Sequence, residues 1–146
     1  MSLIQRVLHL REKLGITPAA DAADKAPTLY DRLGGEPAMD KGVDIFYRAV
    51  LRDPTINYFF EDTDMDRQRL KQKAFVAMAC GGPVHYTGMD MRKGHAHLLQ
   101  YGLNDSHFDA VVNHLAAALK QIGASDEDIG QVAALVEPLR DDILGR

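Results

Sequence analysis

Two histidines lie one residue apart in segment 91–102, and their side chains are the first candidates for metal binding in this sequence. His95 and His97 stand between Gly94 and Gly102, which suggests a single metal held by both. The segment has no β-branched residue and ends in glycine, which favours a short helix over a strand. On a helix, positions two residues apart point about 200° away from each other. We therefore expect the two histidines to have separate roles.

The segment from about 64 to 80 predicts a helix with two distinct faces. One apolar stripe consists of Leu70, Ala74 and Ala77, and a mixed stripe on roughly the opposite side consists of Gln68, Gln72, Phe75 and Ala79. We expect this helix to be covered on both sides, with the mixed stripe facing a pocket that needs a few placed donors in an apolar wall. The alternative is that both glutamines are solvated.

Tyr47 is a further candidate because it lies on the inward stripe of the preceding helix, beside Phe46. A buried tyrosine hydroxyl needs a hydrogen-bond partner, so Tyr47 suits either a polar position in a pocket or ordinary core packing. The aromatic pair Phe59-Phe60 leaves the same two alternatives, closing a core or gripping a cofactor.

The predicted helices must position these candidate side chains. The stripe that contains Tyr47 stops at Asp53-Pro54, and the next helix, capped by Thr63 or Asp64, runs to the break at 81–83. An irregular stretch, 82–90, then precedes the histidine segment.

Two long helices complete the chain. Asn104, Asp105 or Ser106 caps the first of them, and Ser125 with Asp128 forms a capping box for the second. Pro138 is expected to bend the last helix. Because no strand alternation occurs after Thr28, the predicted fold class is all-α.

Composition limits the class of protein. A chain of 146 residues with 46% hydrophobic residues is long enough for one compact domain. The net charge of -4 argues against nucleic acid as the principal partner, and no run is long and apolar enough to cross a bilayer. A single cysteine, Cys80, and the lack of a signal-peptide core fit a reducing, cytoplasmic setting.

The first 27 residues differ from the rest. Apolar residues recur at helical spacing over 2–14, which predicts an amphipathic helix that docks on the domain or on a partner. Residues 15–27 are rich in Ala, Asp and Pro and have no apolar period, as is typical of a linker. We therefore divide the chain into an N-terminal helix with its linker, 1–27, and a main domain, 28–146.

Seven short motifs occur in a characteristic order over residues 28–146. They are LYDRLGG at 29–35, FY at 46–47, NYFF at 57–60, QKAF at 72–75, GGP at 81–83, YTG at 86–88 and MRKGH at 91–95. Together they resemble a truncated haemoglobin of group I. The resemblance implies a two-over-two helical sandwich around haem, with loop in place of most of the helix before the iron ligand. It also implies His95 as the proximal iron ligand, with His97 pointing away.

The same resemblance assigns the other site residues. It places Tyr47, Gln68 and Gln72 on the distal side of the haem. It implies ring walls at Phe60 and Phe75, and haem contacts at Tyr86, Met91, Leu103, Phe108, Val111 and Leu115. Candidates for the haem propionates are Arg69, Lys73 and Arg92, the alternative being solvated surface residues. Lys71 is a possible distal iron ligand, as in some members of the family, or else a solvated lysine. We assign no role to His85, and we expect His107 and His114 at the surface.

The resemblance implies oxygen binding by haem b. Some members of the family attach haem covalently through a histidine in the last helix, but residues 138–146 contain no histidine. We therefore expect the haem to be held non-covalently. Three distal donors are expected to give tight binding and slow release, and nitric oxide dioxygenation with a reductase as electron donor follows as a hypothesis. The alternative is an oxygen store or gas sensor without turnover. A third interpretation is a haem-free interaction domain, or a non-haem metal site at His95 and a neighbour such as His107. A monomer or weak dimer is expected.

Overall fold

The computed structural model describes residues 27–83 and 88–146, and every regular element in these two ranges is helical. The α-helices are α1 (Leu29–Leu33), α2 (Glu36–Arg52), α3 (Met65–Ala79), α4 (Gly88–His95), α5 (Asp105–Gln121), α6 (Asp126–Val136) and α7 (Arg140–Leu144). Short 3₁₀ helices span Asn57–Phe60, Ala96–Tyr101 and Glu137–Leu139. The predicted all-α fold class is confirmed, whereas the predicted N-terminal helix 2–14 lies outside the described residues.

Four of these helices form two layers. α2 packs against both α3 and α5, and α6 packs against both α5 and α3, so the pair α2/α3 faces the pair α5/α6. On α2 the buried residues Met39, Val43, Phe46 and Val50 recur three or four positions apart, which puts them on one face of the helix. Burial of this stripe against the other pair forms the centre of the core.

The predicted helix starts are confirmed in the structure. Asp64 caps α3 by accepting hydrogen bonds from the backbone N–H groups of Asp66 and Arg67. Ser125 and Asp128 form the predicted capping box of α6. These side chains satisfy N–H groups that the first turn of a helix leaves without intrahelical partners. Pro138 also acts as expected, because α6 gives way to the 3₁₀ turn Glu137–Leu139 before α7 begins.

One expectation about α3 is wrong. Leu70 is 63% exposed, so the stripe predicted from Leu70, Ala74 and Ala77 is not covered along its length. Only its C-terminal end is buried, at Ala77. Helical spacing showed that Leu70 and Ala77 share a face, but it could not show where the neighbouring helices stop covering that face.

An ion pair and a close backbone approach attach α1 to the domain. Arg32 donates to the Asp128 carboxylate at 3.0 Å, across 96 positions of sequence. That bond and the one from the Ser125 N–H lower the pKa of Asp128, which keeps the carboxylate ionised. At Gly82 an added Cβ would lie 2.9 Å from both the Ala77 carbonyl oxygen and the Tyr30 ring, so the bend after α3 requires glycine there.

Candidate functional site

A large cavity lies between the α2/α3 pair and the helices α4 and α5. It encloses about 1290 Å³ of space not filled by atoms, part of which is open to solvent. Its lining is mostly apolar, with a few polar side chains and one cation. Cavities of this character are the usual binding sites for organic cofactors.

The proximal wall of the cavity contains His95, the last residue of α4. Its Nδ1 lies 2.8 Å from the carbonyl oxygen of Met91, one helical turn earlier. Because a carbonyl can only accept, Nδ1 carries the proton and Nε2 keeps its lone pair. Burial lowers the pKa of His95, so the imidazole is neutral near pH 7. Neutral imidazole with a free Nε2 is the form that coordinates a metal ion.

A distal polar group, consisting of Tyr47, Gln68 and Gln72, lies on the wall formed by α2 and α3. Tyr47 is 1% exposed, and the side-chain amide of Gln68 donates a hydrogen bond to its hydroxyl oxygen at 3.0 Å. Gln68 and Gln72 are four residues apart and therefore face the cavity from successive turns of α3. The group supplies three side chains that can donate hydrogen bonds in a mainly apolar cavity.

Aromatic contacts fix the position of Tyr47. The Phe46 ring lies 4.9 Å from the Tyr47 ring and the Phe60 ring 5.9 Å from it, both edge to face. Such pairs are favourable beyond the area they bury. Tyr47 is thus held on three sides, by two rings and by the Gln68 amide.

Apolar side chains form the rest of the cavity wall. Of the residues that the sequence nominated, the lining includes Phe60, Phe75, Met91, Leu103, Phe108, Val111 and Leu115, together with Lys71. Lys71 is exposed. Phe108 is buried beneath the guanidinium of Arg140, which lies 4.3 Å from the ring centroid. Nominated residues from four different helices and two connecting segments therefore meet at one cavity.

The three cations nominated for haem propionates are not among the residues that line the cavity. Arg69 does not line the cavity and faces Asp44 at 3.9 Å. Lys73 pairs with Glu36 at 2.9 Å and with Asp40 at 3.1 Å, and these bonds raise its pKa.

Arg92, the third of these cations, pairs with Asp142 at 3.2 Å. Carboxylates of the protein thus bind Lys73 and Arg92 closely, whereas the buried Nε of Arg69 has no hydrogen-bond partner among the described residues. Tyr86, which the resemblance also nominated, lies outside the described residues.

Two histidines expected at the surface are partly buried instead. His107 lines the cavity, accepts a hydrogen bond from the Asn104 N–H at 3.0 Å, and lies 3.4 Å from the Tyr58 hydroxyl. His114 pairs with Asp53 at 2.8 Å. Bonds from Thr55 and from His114 lower the pKa of Asp53 to about 2. Their spacing of seven residues put both histidines on one face of α5, but only the fold shows that residues 53–60 pack against this face.

His95 and His97 point in different directions, as expected, but they lie closer to the same cavity than expected. α4 ends at His95, and His97 lies in the 3₁₀ helix that follows. A 3₁₀ helix turns about 120° per residue, so the two imidazoles still point in different directions. His97 is exposed, yet it borders the same cavity.

Sequence reasoning missed several lining residues that come from distant segments. They include Ile56, Thr63, Leu98, Val112, Val136 and Ile143. Each belongs to an apolar stripe or lies at the end of a helix. No local signal separates residues that line a cavity from those that fill a core.

The metal-ligating side chains at the cavity suit a metal ion whose other ligands come from an organic cofactor. Among residues 27–83 and 88–146, no three His, Cys, Asp or Glu side chains cluster closely enough to hold an ion. A metal held by protein alone normally has three or four such ligands. One neutral imidazole in an apolar cavity instead fits a flat, apolar macrocycle that supplies the remaining ligands, as haem does.

Comparison with known proteins agrees with this chemistry. The profile of the family described as bacterial-like globin matches residues 28–145, and a group 1 truncated hemoglobin of Tetrahymena thermophila is 42% identical over 122 residues, which are 84% of this chain and 98% of that protein. The chain belongs to the truncated haemoglobins.

Other relatives of this truncated haemoglobin agree in sequence and in fold. A group 1 truncated hemoglobin of Synechocystis sp. is 49% identical over 74% of this chain and 88% of its own. The crystal structure of the 2/2 hemoglobin from Synechococcus sp. superposes with a TM-score of 0.75 at 39% identity, covering 82% of this chain and all of that one. This truncated haemoglobin therefore has the two-over-two globin fold, binds haem and takes diatomic gases as ligands.

Proposed function

We propose that this truncated haemoglobin holds haem b non-covalently through His95 and binds oxygen beside the distal polar group for reaction with nitric oxide. When bound, haem iron supplies an open coordination position for a diatomic gas and can give up one electron. The observation that carries the proposal is the hydrogen bond from Gln68 to the Tyr47 hydroxyl in a cavity that also contains the neutral His95.

Tyr47, Gln68 and Gln72 act in this proposal as fixed donors. The hydrogen bond from Gln68 positions the Tyr47 hydroxyl beside the cavity, and a phenol hydroxyl can donate as well as accept. A ligand that becomes partly negative is stabilised by donors already in place, since no side chain must reorient when the charge develops. We infer that oxygen is retained strongly and released slowly.

Unmodified haem b is supported by the positions of the histidines. The Synechococcus hemoglobin has covalently attached heme, whereas residues 126–146 of this chain contain no histidine. His107 lines the cavity, but both of its ring nitrogens are engaged, one by the Asn104 N–H and the other by the Tyr58 hydroxyl. We therefore propose a cofactor that acidified organic solvent extracts.

Nitric oxide dioxygenation is the reaction that this arrangement supports best. One nitric oxide, one oxygen and one electron give one nitrate ion, and a reductase must return the electron before the next turnover. The distal polar group favours the oxygen atom that carries negative charge, and the apolar walls admit a second neutral gas. The reductase is thus a required partner of the proposed activity.

Stopped-flow mixing of the oxygenated protein with nitric oxide tests the reaction. We expect oxidation to be complete within the mixing experiment and to produce equimolar nitrate, because Tyr47, Gln68 and Gln72 would stabilise negative charge that develops in the cavity. The carbon monoxide form is the control, since it cannot yield nitrate. Slow oxidation without nitrate would contradict the proposal and favour an oxygen store or sensor, which the same tight binding would serve.

Lys71 is a second possible ligand of iron, and its exposure limits when it can bind. An ammonium group has no lone pair, so Lys71 must lose a proton before its nitrogen can bind iron. We propose that Lys71 ligation strengthens as the pH rises. In an absorption titration of the ferric protein, low-spin bands should grow with pH in the wild type and be absent from Lys71→Ala and from the charge-matched Lys71→Arg. Equal growth in all three would exclude Lys71.

We also propose a cytoplasmic protein that acts as a monomer or weak dimer. Cys80 is buried and unpaired, and burial raises the pKa of its thiol to about 11, as expected for a small core residue in a reducing compartment. Among the described helices, none combines the length and the apolar character needed to cross a membrane.

A further inference from the structure

The helix that ends in His95 depends on the C-terminal segment for its position. α4 is eight residues long and packs chiefly against α7, which has only five. Helices this short are not stable by themselves in water. The orientation of α4 therefore depends on its contacts with the rest of the domain, among which those with α7 are prominent.

Four charged residues form a network around the contact of α4 with α7, and we call them the C-terminal clamp: Arg92, Asp142, Arg146 and Asp105. Arg92 donates to Asp142 from Nε at 3.3 Å and from Nη2 at 3.2 Å, and Nη2 also donates to the main-chain oxygen of Arg146 at 2.9 Å. Arg146 in turn donates to Asp105, at the start of α5, at 2.8 and 3.1 Å. The clamp thus joins α4, α7 and α5 in one chain of hydrogen bonds.

The other side of α7 is fixed as well. Arg140 pairs with Asp105 at 3.0 Å and with Asp109 at 2.6 Å. Leu144 is buried, and Ile143 lines the cavity. Since α7 is anchored to α5 by charge and to the core by apolar contact, it offers α4 a fixed surface.

We propose that Arg92 is a positioning residue for His95, and that the C-terminal clamp sets the tilt of α4 and thereby the direction of the imidazole. Arg92 lies three residues before His95 and directly after Met91, whose carbonyl accepts the His95 proton. A shift of α4 against α7 would move this acceptor and the ring together. This inference rests on the proposed role of His95 as the iron ligand.

The clamp is partly shielded from solvent. The Arg92 and Asp142 side chains are 39% and 32% exposed, so one exposed ion pair alone would contribute little. Arg92 also makes three hydrogen bonds in a shared network, and bonds to charged groups are worth more than neutral ones. We therefore expect a moderate effect on haem retention, with a change in imidazole geometry.

The test compares haem-loaded variants of the full chain. Arg92→Met keeps the aliphatic stem and removes the charge, Asp142→Asn removes the partner charge, and the double variant measures their coupling. Arg92→Lys restores the charge without the forked geometry. Arg32→Met is the matched control, because it breaks an Arg–Asp pair between helices, with Asp128 at 3.0 Å, on elements other than α4.

Two readouts separate positioning from stability. Haem transfer to excess apomyoglobin should be about three- to tenfold faster in Arg92→Met and in Asp142→Asn, with no further gain in the double variant. Resonance Raman of the ferrous protein should show a shifted or broadened iron–histidine stretching band in these variants, partly restored in Arg92→Lys. Added salt should speed haem loss from the wild type more than from Arg92→Met.

Three outcomes would contradict the positioning role of Arg92 or the role of His95 on which it rests. If Arg92→Met matches the wild type in haem loss and in the iron–histidine band, the clamp does not position His95. If Arg32→Met changes the band as much as Arg92→Met, general loss of stability explains the result and the inference is wrong. A wild-type protein without an iron–histidine band would instead contradict the proposed function itself, which is a separate failure.

Discussion

Replacement of His95 by alanine is expected to remove the Soret band of wild-type protein and most of the bound haem. The His95 imidazole lines the cavity with its Nδ1 bound to the Met91 carbonyl, which leaves Nε2 to coordinate a metal ion. Without it the porphyrin is held only by apolar contact, and the ferrous iron lacks the fifth ligand that supports gas binding. Absorption spectra and a pyridine haemochrome assay on purified protein measure the loss.

Two further variants make this experiment specific to His95. His114→Ala removes a histidine that does not line the cavity and should keep the wild-type spectrum. His97→Ala tests the neighbour at the cavity border, and it too should keep the Soret band. An unaltered Soret band and gas affinity in His95→Ala would overturn the assignment, as would equal haem loss from His97→Ala. Added imidazole should restore the band in His95→Gly.

Local chemistry predicted most of the helical framework. Ser125 and Asp128 form a capping box three residues apart, and Pro138 cannot continue a regular helix. Gly102 ends the 3₁₀ helix with a φ of 85°, which glycine adopts most readily. These features are decided within one or two turns of chain, so the sequence alone suffices to predict them.

Contacts between distant segments were not predictable in the same way. Arg92 was a candidate for haem binding by residue type, and nothing in the sequence indicated that its guanidinium binds Asp142, fifty positions later. His114 similarly pairs with Asp53 across sixty-one positions. Charge and periodicity show what a side chain can bind, whereas only the packing of helices decides which partner reaches it first.

At the candidate site, too, the local sequence predicted some features, whereas the packing of the helices decided others. Helix geometry separated His95 from His97 but could not choose between them; the resemblance to truncated haemoglobins made that choice. The spacing of Gln68 and Gln72 placed them on one face of α3, but solvated glutamines have the same spacing. Tyr47 lies twenty-one positions before Gln68, and their hydrogen bond exists because α2 packs against α3.

Replacement of Tyr47 by phenylalanine is expected to speed oxygen release by roughly ten- to hundredfold. The change removes one hydroxyl and leaves the ring contacts with Phe46 and Phe60 possible, so it reports mainly on hydrogen bonding. A bond to a partly charged acceptor contributes about 1.5–3 kcal/mol, and each 1.36 kcal/mol is a factor of ten. Displacement of oxygen by carbon monoxide in a stopped-flow instrument gives the off-rate.

The matched control is Tyr58→Phe, which removes a hydroxyl from a tyrosine that is 38% exposed and does not line the cavity. Its off-rate should equal that of the wild type. Gln68→Leu should also speed release, because it removes one donor and the bond that fixes the Tyr47 hydroxyl at 3.0 Å. The two changes should be less than additive, since Gln68 acts partly through Tyr47. A Tyr47→Phe off-rate within about twofold of the wild type, under 0.5 kcal/mol, would mean that the distal polar group does not hold the ligand.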